Sequence, residues 1–261
     1  KVRFIGAGAI GIAAIWTLIT LIKPIIEGMK ISVKSMNSSS AERELHRMDT
    51  DMSTKSVIIV FGIILLGLVL TFWDFVSAVP ISAGLMWTLV IVGVLVALLI
   101  GFFVAAACGY MTGLIGTSAS PISGIGILAT IISSLVVYFI ASENNLFATE
   151  AGVQFATAMA IFMTSVVIAI ASISNDNLQD LKTGQLVGAT PWRQQIALLL
   201  GSVAGAVAIA PVLNLLYQAY GFTGALPRAE MDPNAALSAP QATLMTTIAP
   251  VSYTHLRVHE T

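Results

Sequence analysis

The chain has 261 residues, of which 57% are hydrophobic and only 10% charged, and its mean hydropathy is +0.92. Soluble domains carry about 25% charged residues, so this composition cannot cover a soluble surface and part of its solvent must be lipid. The formal net charge of -1 excludes the basic face that a nucleic-acid partner requires. Cys108 is the one cysteine, which leaves no internal disulfide and no thiolate metal cluster.

A helix that crosses a bilayer needs about 20 mostly apolar residues. In chain order, the segments that qualify are Phe4 to Ile26, Val57 to Trp73, Ile81 to Ala107, Pro121 to Ile140, Ala151 to Ile173 and Pro191 to Tyr217. The predicted fold is therefore all-α: a polytopic transmembrane helix bundle of about six spans. Lys1 in place of an initiating Met, with an apolar span starting at once, predicts a fragment truncated at both ends, its transmembrane domain covering residues 1–249.

The first span opens with Gly6-Ala7-Gly8-Ala9-Ile10-Gly11, which fits a dinucleotide-binding fingerprint. Glu27 lies near the distance expected of the acidic partner, but Ile12 to Ile26 has no polar face and no parallel sheet follows. Close approach of membrane helices explains these small residues better.

The connections set the orientation. The first carries Lys30, Lys34, Arg43, Arg47 and Lys55, and the last carries Lys182, with Arg193 just after it. The second has Asp74, the fourth has Glu143 and Glu150, and neither has Lys or Arg. With six crossings both basic connections fall on one side, the cytoplasmic one; Lys1 and Arg3 dissent weakly. Within the first connection, Ser39-Ser40-Ala41-Glu42 is a capping-box pattern that predicts a short polar helix through Met48. Thr190-Pro191 reads as the N-cap and first position of the sixth span.

Two polar segments interrupt the apolar pattern. Gly116-Thr117-Ser118-Ala119-Ser120-Pro121-Ile122-Ser123-Gly124 is uncharged and dense in hydroxyls. It reads either as a plain turn or as a re-entrant segment, because freed backbone groups at membrane depth need protein or water to receive them. Ser174 to Gln195 holds Asn175, Asp176, Asp180 and Lys182. Leu178, Leu181 and Lys182 have helical spacing and Gly184 suits a C-terminal stop, so an amphipathic surface connector is one reading. The other makes Asn175, Asp176, Asp180 and Lys182 a gate or a proton-coupling path.

These two runs, with Ala41-Glu42-Arg43-Glu44-Leu45, resemble the oligopeptide transporter (OPT) family, in particular its prokaryotic branch related to the yellow-stripe-like metal-chelate carriers. The Asp180-Leu181-Lys182-Thr183-Gly184 run with Gly188-Ala189-Thr190-Pro191 is the most specific piece. Where eukaryotic peptide carriers of that family have Asn-Pro-Gly-type motifs, this chain has Ser120-Pro121-Ile122-Ser123-Gly124. The resemblance implies proton-coupled uptake of oligopeptides or metal-chelate complexes across a bacterial inner membrane, and more helices than this chain holds. On that reading Gly116, Thr117, Ser118, Ser120, Pro121, Ser123 and Gly124 contribute to the substrate path. A channel or scaffold without transport activity is the alternative. An enzyme is not expected: there is no His-Glu-x-x-His, no paired intramembrane carboxylate, and His46 is the one histidine before the C-terminal run. No cofactor pattern emerges either.

That run, Val251 to Thr261, changes composition abruptly and resembles an adapter-derived tail. It is expected to be non-native, dispensable and unpacked, which leaves the helical spacing of His255 and His259 without the further ligands a zinc site needs.

The charge bias generates one test of topology. In a Cys108→Ser background, Arg47→Cys is expected to stay unlabelled when an impermeant thiol reagent is added outside sealed cells, and to react once the cells are permeabilised.

Overall fold

The computed structural model describes residues 2–37, 47–223 and 235–257. These form α1 (Val2–Asn37), α2 (Thr54–Ser77), α3 (Ala83–Ile115), α4 (Ile122–Glu143), α5 (Glu150–Val187), α6 (Pro191–Ala219) and α7 (Pro240–Arg257). Among the described residues the only extended pairing is an isolated bridge between Phe222 and Leu237, so the protein is all-α as predicted. Six of the helices are long and apolar enough to cross a membrane.

Local chemistry fixes most helix starts. Ser53 accepts from the Ser56 amide at 3.2 Å, Ser82 from Leu85 at 3.3 Å and Thr149 from Gly152 at 3.1 Å, each satisfying an orphan N–H of a first turn. Pro191 occupies the first turn of α6, where its missing donor costs nothing. The capping-box residues Ser39 to Glu42 lie outside the described residues; beside them Arg47–Asp49 makes a single 3-10 turn.

The bundle is organised around α5. Its buried face carries Phe155, Ala156, Met159, Ala160, Met163, Val167 and Ala171, and both α3 and α4 pack along it. Glycines on α3 bring the backbones together: a Cβ on Gly101 would stand 2.6 Å from Ile170 Cδ1, and one on Gly109 would stand 3.2 Å from Leu178 Cγ. At one end Phe75 stacks on Phe162 at 4.3 Å and Phe72 meets Phe162 edge-on at 5.0 Å. Val79, Ile81, Leu146 and Phe147 join that cluster, so the α2–α3 and α4–α5 turns share an end. At the other end Arg47 Nη2 donates to the Gly188 carbonyl at 2.8 Å and Trp192 N–H to the Thr50 carbonyl at 3.2 Å. The pairing of turns inferred from charge is thus present in the packing. The start of α1 meets α4 at Gly124, whose Cβ would stand 2.8 Å from Ala14 Cβ. Farther along, Pro24 to Met29 lie beside Phe102, Ala106 and Tyr110 of α3, so α1 crosses this pair obliquely.

The structure corrects the sequence reading in three places. First, α5 does not stop near Ile173: it runs unbroken for 38 residues to Val187, about 57 Å at 1.5 Å per residue. Its stop is Gly188, at φ 74° in the left-handed region, while Gly184 is buried under the Gln194 amide. Second, a seventh helix follows the loop after α6. Thr-rich and interrupted by Pro250, it falls short of the apolar length that marks the others. Third, α7 carries the chain into the segment expected to be unpacked. Tyr253 is buried, its hydroxyl donates to the Ala156 carbonyl at 3.1 Å, and its ring lies 5.2 Å from that of Phe147. His259 lies outside the described residues.

Tyr253→Ala should therefore cost about 3 kcal/mol through lost burial, with Tyr253→Phe losing only about 1 kcal/mol for its hydrogen bond. Thermal unfolding in detergent checks both; an unchanged midpoint for Tyr253→Ala would restore the unpacked tail.

Candidate functional site

The polar turn between α3 and α4 is built from the end of α3 outward. Gly116 closes that helix, donating to the Thr112 carbonyl at 2.9 Å. Its φ of 103° with ψ 170° is open to glycine and strained for any other residue. Thr117–Ala119 then forms one 3-10 turn, and Pro121 leads directly into α4. Both flanking helices are continuous. The segment is a turn joining two spans, with no separate helical hairpin among the described residues.

What holds the turn is a carboxamide from α5. Asn175 is 3% exposed, and its Oδ1 accepts from the Thr112 hydroxyl and, at 2.6 Å, from the Ser120 hydroxyl. Its Nδ2 donates to the Thr117 carbonyl at 3.4 Å. One helical turn on, Gln179 Oε1 accepts from the Thr117 N–H at 2.8 Å. One residue before Asn175, the Ser174 hydroxyl donates to the Ala105 carbonyl at 2.8 Å. Amides suit this place. Each offers a donor and an acceptor side by side, and Asn175 fills its buried position without bringing in a net charge.

The predicted site residues separate into three groups. Thr117, Ser120 and Asn175 come together in one network, and Gly116 and Pro121 shape its backbone. Ser118 and Ser123 are exposed; the Ser123 carbonyl accepts from Gln241 Nε2 of α7 at 3.3 Å. Gly124 is a packing position against Ile10 and Ala14 of α1, outside the network. Asp176, Asp180 and Lys182 all face solvent. The Lys182 ammonium donates to Gln185 at 3.1 Å, and the Asp180 backbone carbonyl receives Gln194 at 3.1 Å. Sequence reasoning missed Thr112 and Gln179. Thr112 sits one helical turn before Gly116, and Gln179 one helical turn after Asn175, so helical spacing from the named residues was the available signal.

A second polar knot lies farther along α5. Gln195 of α6 accepts from the Met52 N–H at 2.9 Å and donates to Asp51 Oδ1 at 3.4 Å. With the Arg47 and Trp192 bonds, it fastens the stretch before α2 to the α5–α6 turn. Beneath it, between α2, α5 and α6, runs an apolar groove of about 360 Å³ lined by Val60, Phe61, Ile64, Leu178, Leu181 and Leu198 and edged by Asn177 and Ser202.

Six long apolar helices, closely packed through glycine and alanine, define a polytopic α-helical membrane protein. The chain belongs to the OPT family: the family model described as OPT oligopeptide transporter protein matches residues 1–256. It is 55% identical over 255 residues to a Haemophilus influenzae protein named "Putative oligopeptide transporter". That match covers 98% of this chain and 40% of the relative, so the chain spans about two-fifths of the length of the curated protein it matches. No solved structure matches it.

The network predicts a sharp contrast in stability. Asn175→Ala removes the acceptor shared by the Thr112 and Ser120 hydroxyls, which keep only each other at 3.2 Å, and the donor to the Thr117 carbonyl, and should cost about 2 kcal/mol. Asp176→Ala and Asp180→Ala, both on solvent-facing positions, should stay within about 0.5 kcal/mol of the parent. Detergent unfolding of the three variants side by side measures this.

Proposed function

We propose that this chain is part of a secondary active carrier that takes up oligopeptides across a bacterial inner membrane, driven by protons. The observation that carries the reading is family membership over nearly the whole chain. The site adds chemistry consistent with it. The turn from Gly116 to Gly124 offers hydroxyls and backbone groups without charge, so it repels neither end of a zwitterionic peptide. The carboxylates of Asp176 and Asp180 lie four residues apart on the helix that clasps the turn, accessible to water and to protons. An uncharged turn would equally admit a metal-chelate complex, and competition between the two substrates decides that point. The Lys and Arg bias of the neighbouring connections supports a cytoplasmic position for this end of the bundle.

Gly116 is a poor probe of the path, because Gly116→Leu strains the backbone wherever the turn lies. Ser118 is exposed and serves instead. In the full-length carrier, Ser118→Trp should cut proton-driven uptake of a labelled tripeptide at least tenfold at normal surface expression. Excess peptide should also shield Ser118→Cys from a thiol reagent. Asp176→Asn combined with Asp180→Asn should abolish accumulation against a gradient while peptide exchange persists. Normal uptake by Ser118→Trp, together with no shielding, would reduce the turn to a surface connector. Inhibition by metal chelates with no effect of peptides would reassign the substrate.

A further inference from the structure

Two helices of this bundle are bare, and they are bare in different ways. Along α2 the exposed residues include Ile58, Ile59, Ile63, Leu66 and Leu70, large side chains that match acyl chains. Along α6 no residue is buried, yet residues 201–211 read Gly-Ser-Val-Ala-Gly-Ala-Val-Ala-Ile-Ala-Pro. A Cβ on Gly201 or Gly205 would meet nothing within 4 Å. Small residues four apart let a second helix approach, but Gly201 lines the cleft toward Asp180 and Gly184 of α5, and a polar face elsewhere on α6 decides the matter.

Pro211 lies inside α6. It has no N–H, so the carbonyl of Val207 lacks its helical donor, and Val207 is 71% exposed. Asn214 follows within the same apolar run, also exposed, and Gln218 Nε2 donates to its Oδ1 at 3.4 Å. Positions 207, 211, 214 and 218 fall on one face of a helix. A donorless carbonyl and a carboxamide are both costly against lipid tails, where nothing can pair with them. A helix with that face would not be stable as a lipid-facing span. The Haemophilus relative supplies the room for a partner, since this chain corresponds to 40% of it.

We infer that the α6 face of Val207, Pro211, Asn214 and Gln218 packs against a transmembrane helix from the part of the carrier outside this chain. That helix presents a hydroxyl or amide donor to the Val207 carbonyl, whereas α2 faces lipid. The inference rests on the reading that the chain is part of a longer carrier, and is independent of what that carrier moves.

Photo-crosslinking in the carrier expressed from its native reading frame tests it. The probe, p-benzoylphenylalanine, is placed at position 214, at position 218 and, as the lipid reference, at position 63, which is exposed and outside the groove lined by Ile64. Irradiation at 214 or 218 should join α6 to a peptide of the same polypeptide from outside residues 1–261, without a dimer band. Position 63 should give lipid adducts. Lipid adducts at both α6 positions, a cross-linked dimer, or no adduct at either position would overturn the assignment. Intact mass separates the two levels of failure. A product no larger than 27.4 kDa would overturn the longer carrier itself, whereas a larger product with lipid adducts on α6 would overturn only the face.

Discussion

The close seating of α3 on α5 is the contact on which the remaining arrangement depends. Gly101 and Gly109 let Ile170, Ser174 and Leu178 press against the α3 backbone. Without a hydrophobic drive between helices in lipid, such close packing is one of the few sources of adhesion. It fixes the register of two long helices, and the register brings Asn175 level with the end of α3. Were α5 shifted by one turn, its carboxamide would miss Thr112, Thr117 and Ser120 together, and the turn into α4 would lose its buried acceptor. The position of α4 follows, because α4 leaves that turn directly and packs on the same α5 face.

The same logic explains why the two ends of the bundle are built differently. At the α2–α3 and α4–α5 turns, aromatic side chains do the work: Phe72, Phe75, Phe155 and Phe162 interlock, with Tyr138, Phe147 and Tyr253 beside them. At the opposite end, amides and carbonyls do it, through Asn175, Gln179, Gln194 and Gln195. An aromatic cluster is held by burial and shape. An amide network exchanges partners at little net cost, since each internal hydrogen bond replaces one to water.

How much of this was legible in the sequence depends on which physical signal each feature carries. The spans and their charge-marked connections were legible, because hydropathy over about 20 residues and Lys/Arg bias are local properties. The full length of α5 was not. The polar residues Asn175, Asp176, Asn177 and Gln179 end an apolar run without ending a helix, since backbone hydrogen bonding continues where the solvent changes. Gly184 looked like a stop by position alone, and only packing shows it as the seat for Gln194. α7 was missed because Pro250 and its threonines dilute the apolar signal, while its partners, Ile127, Tyr138 and Phe147, are distant in sequence. In the site, Asn175 and the hydroxyls of the turn were legible as unusual residues. Their being partners was not, because that pairing depends on the register of α3 on α5.

The carboxylates show why a network of amides and hydroxyls, and not of charges, occupies the buried position. Asp176 follows Asn175 directly, yet the two lie about 100° apart around the helix, and the structure turns Asn175 inward and Asp176 outward. An aspartate at the inward position would still accept from Thr112 and Ser120. It would lose the donor to the Thr117 carbonyl and place a charge where only 3% of the residue is exposed. Burial disfavours the charged form, so such a group would take up a proton to remain there. Asparagine avoids that switch: the clasp on the turn keeps the same charge at any physiological pH.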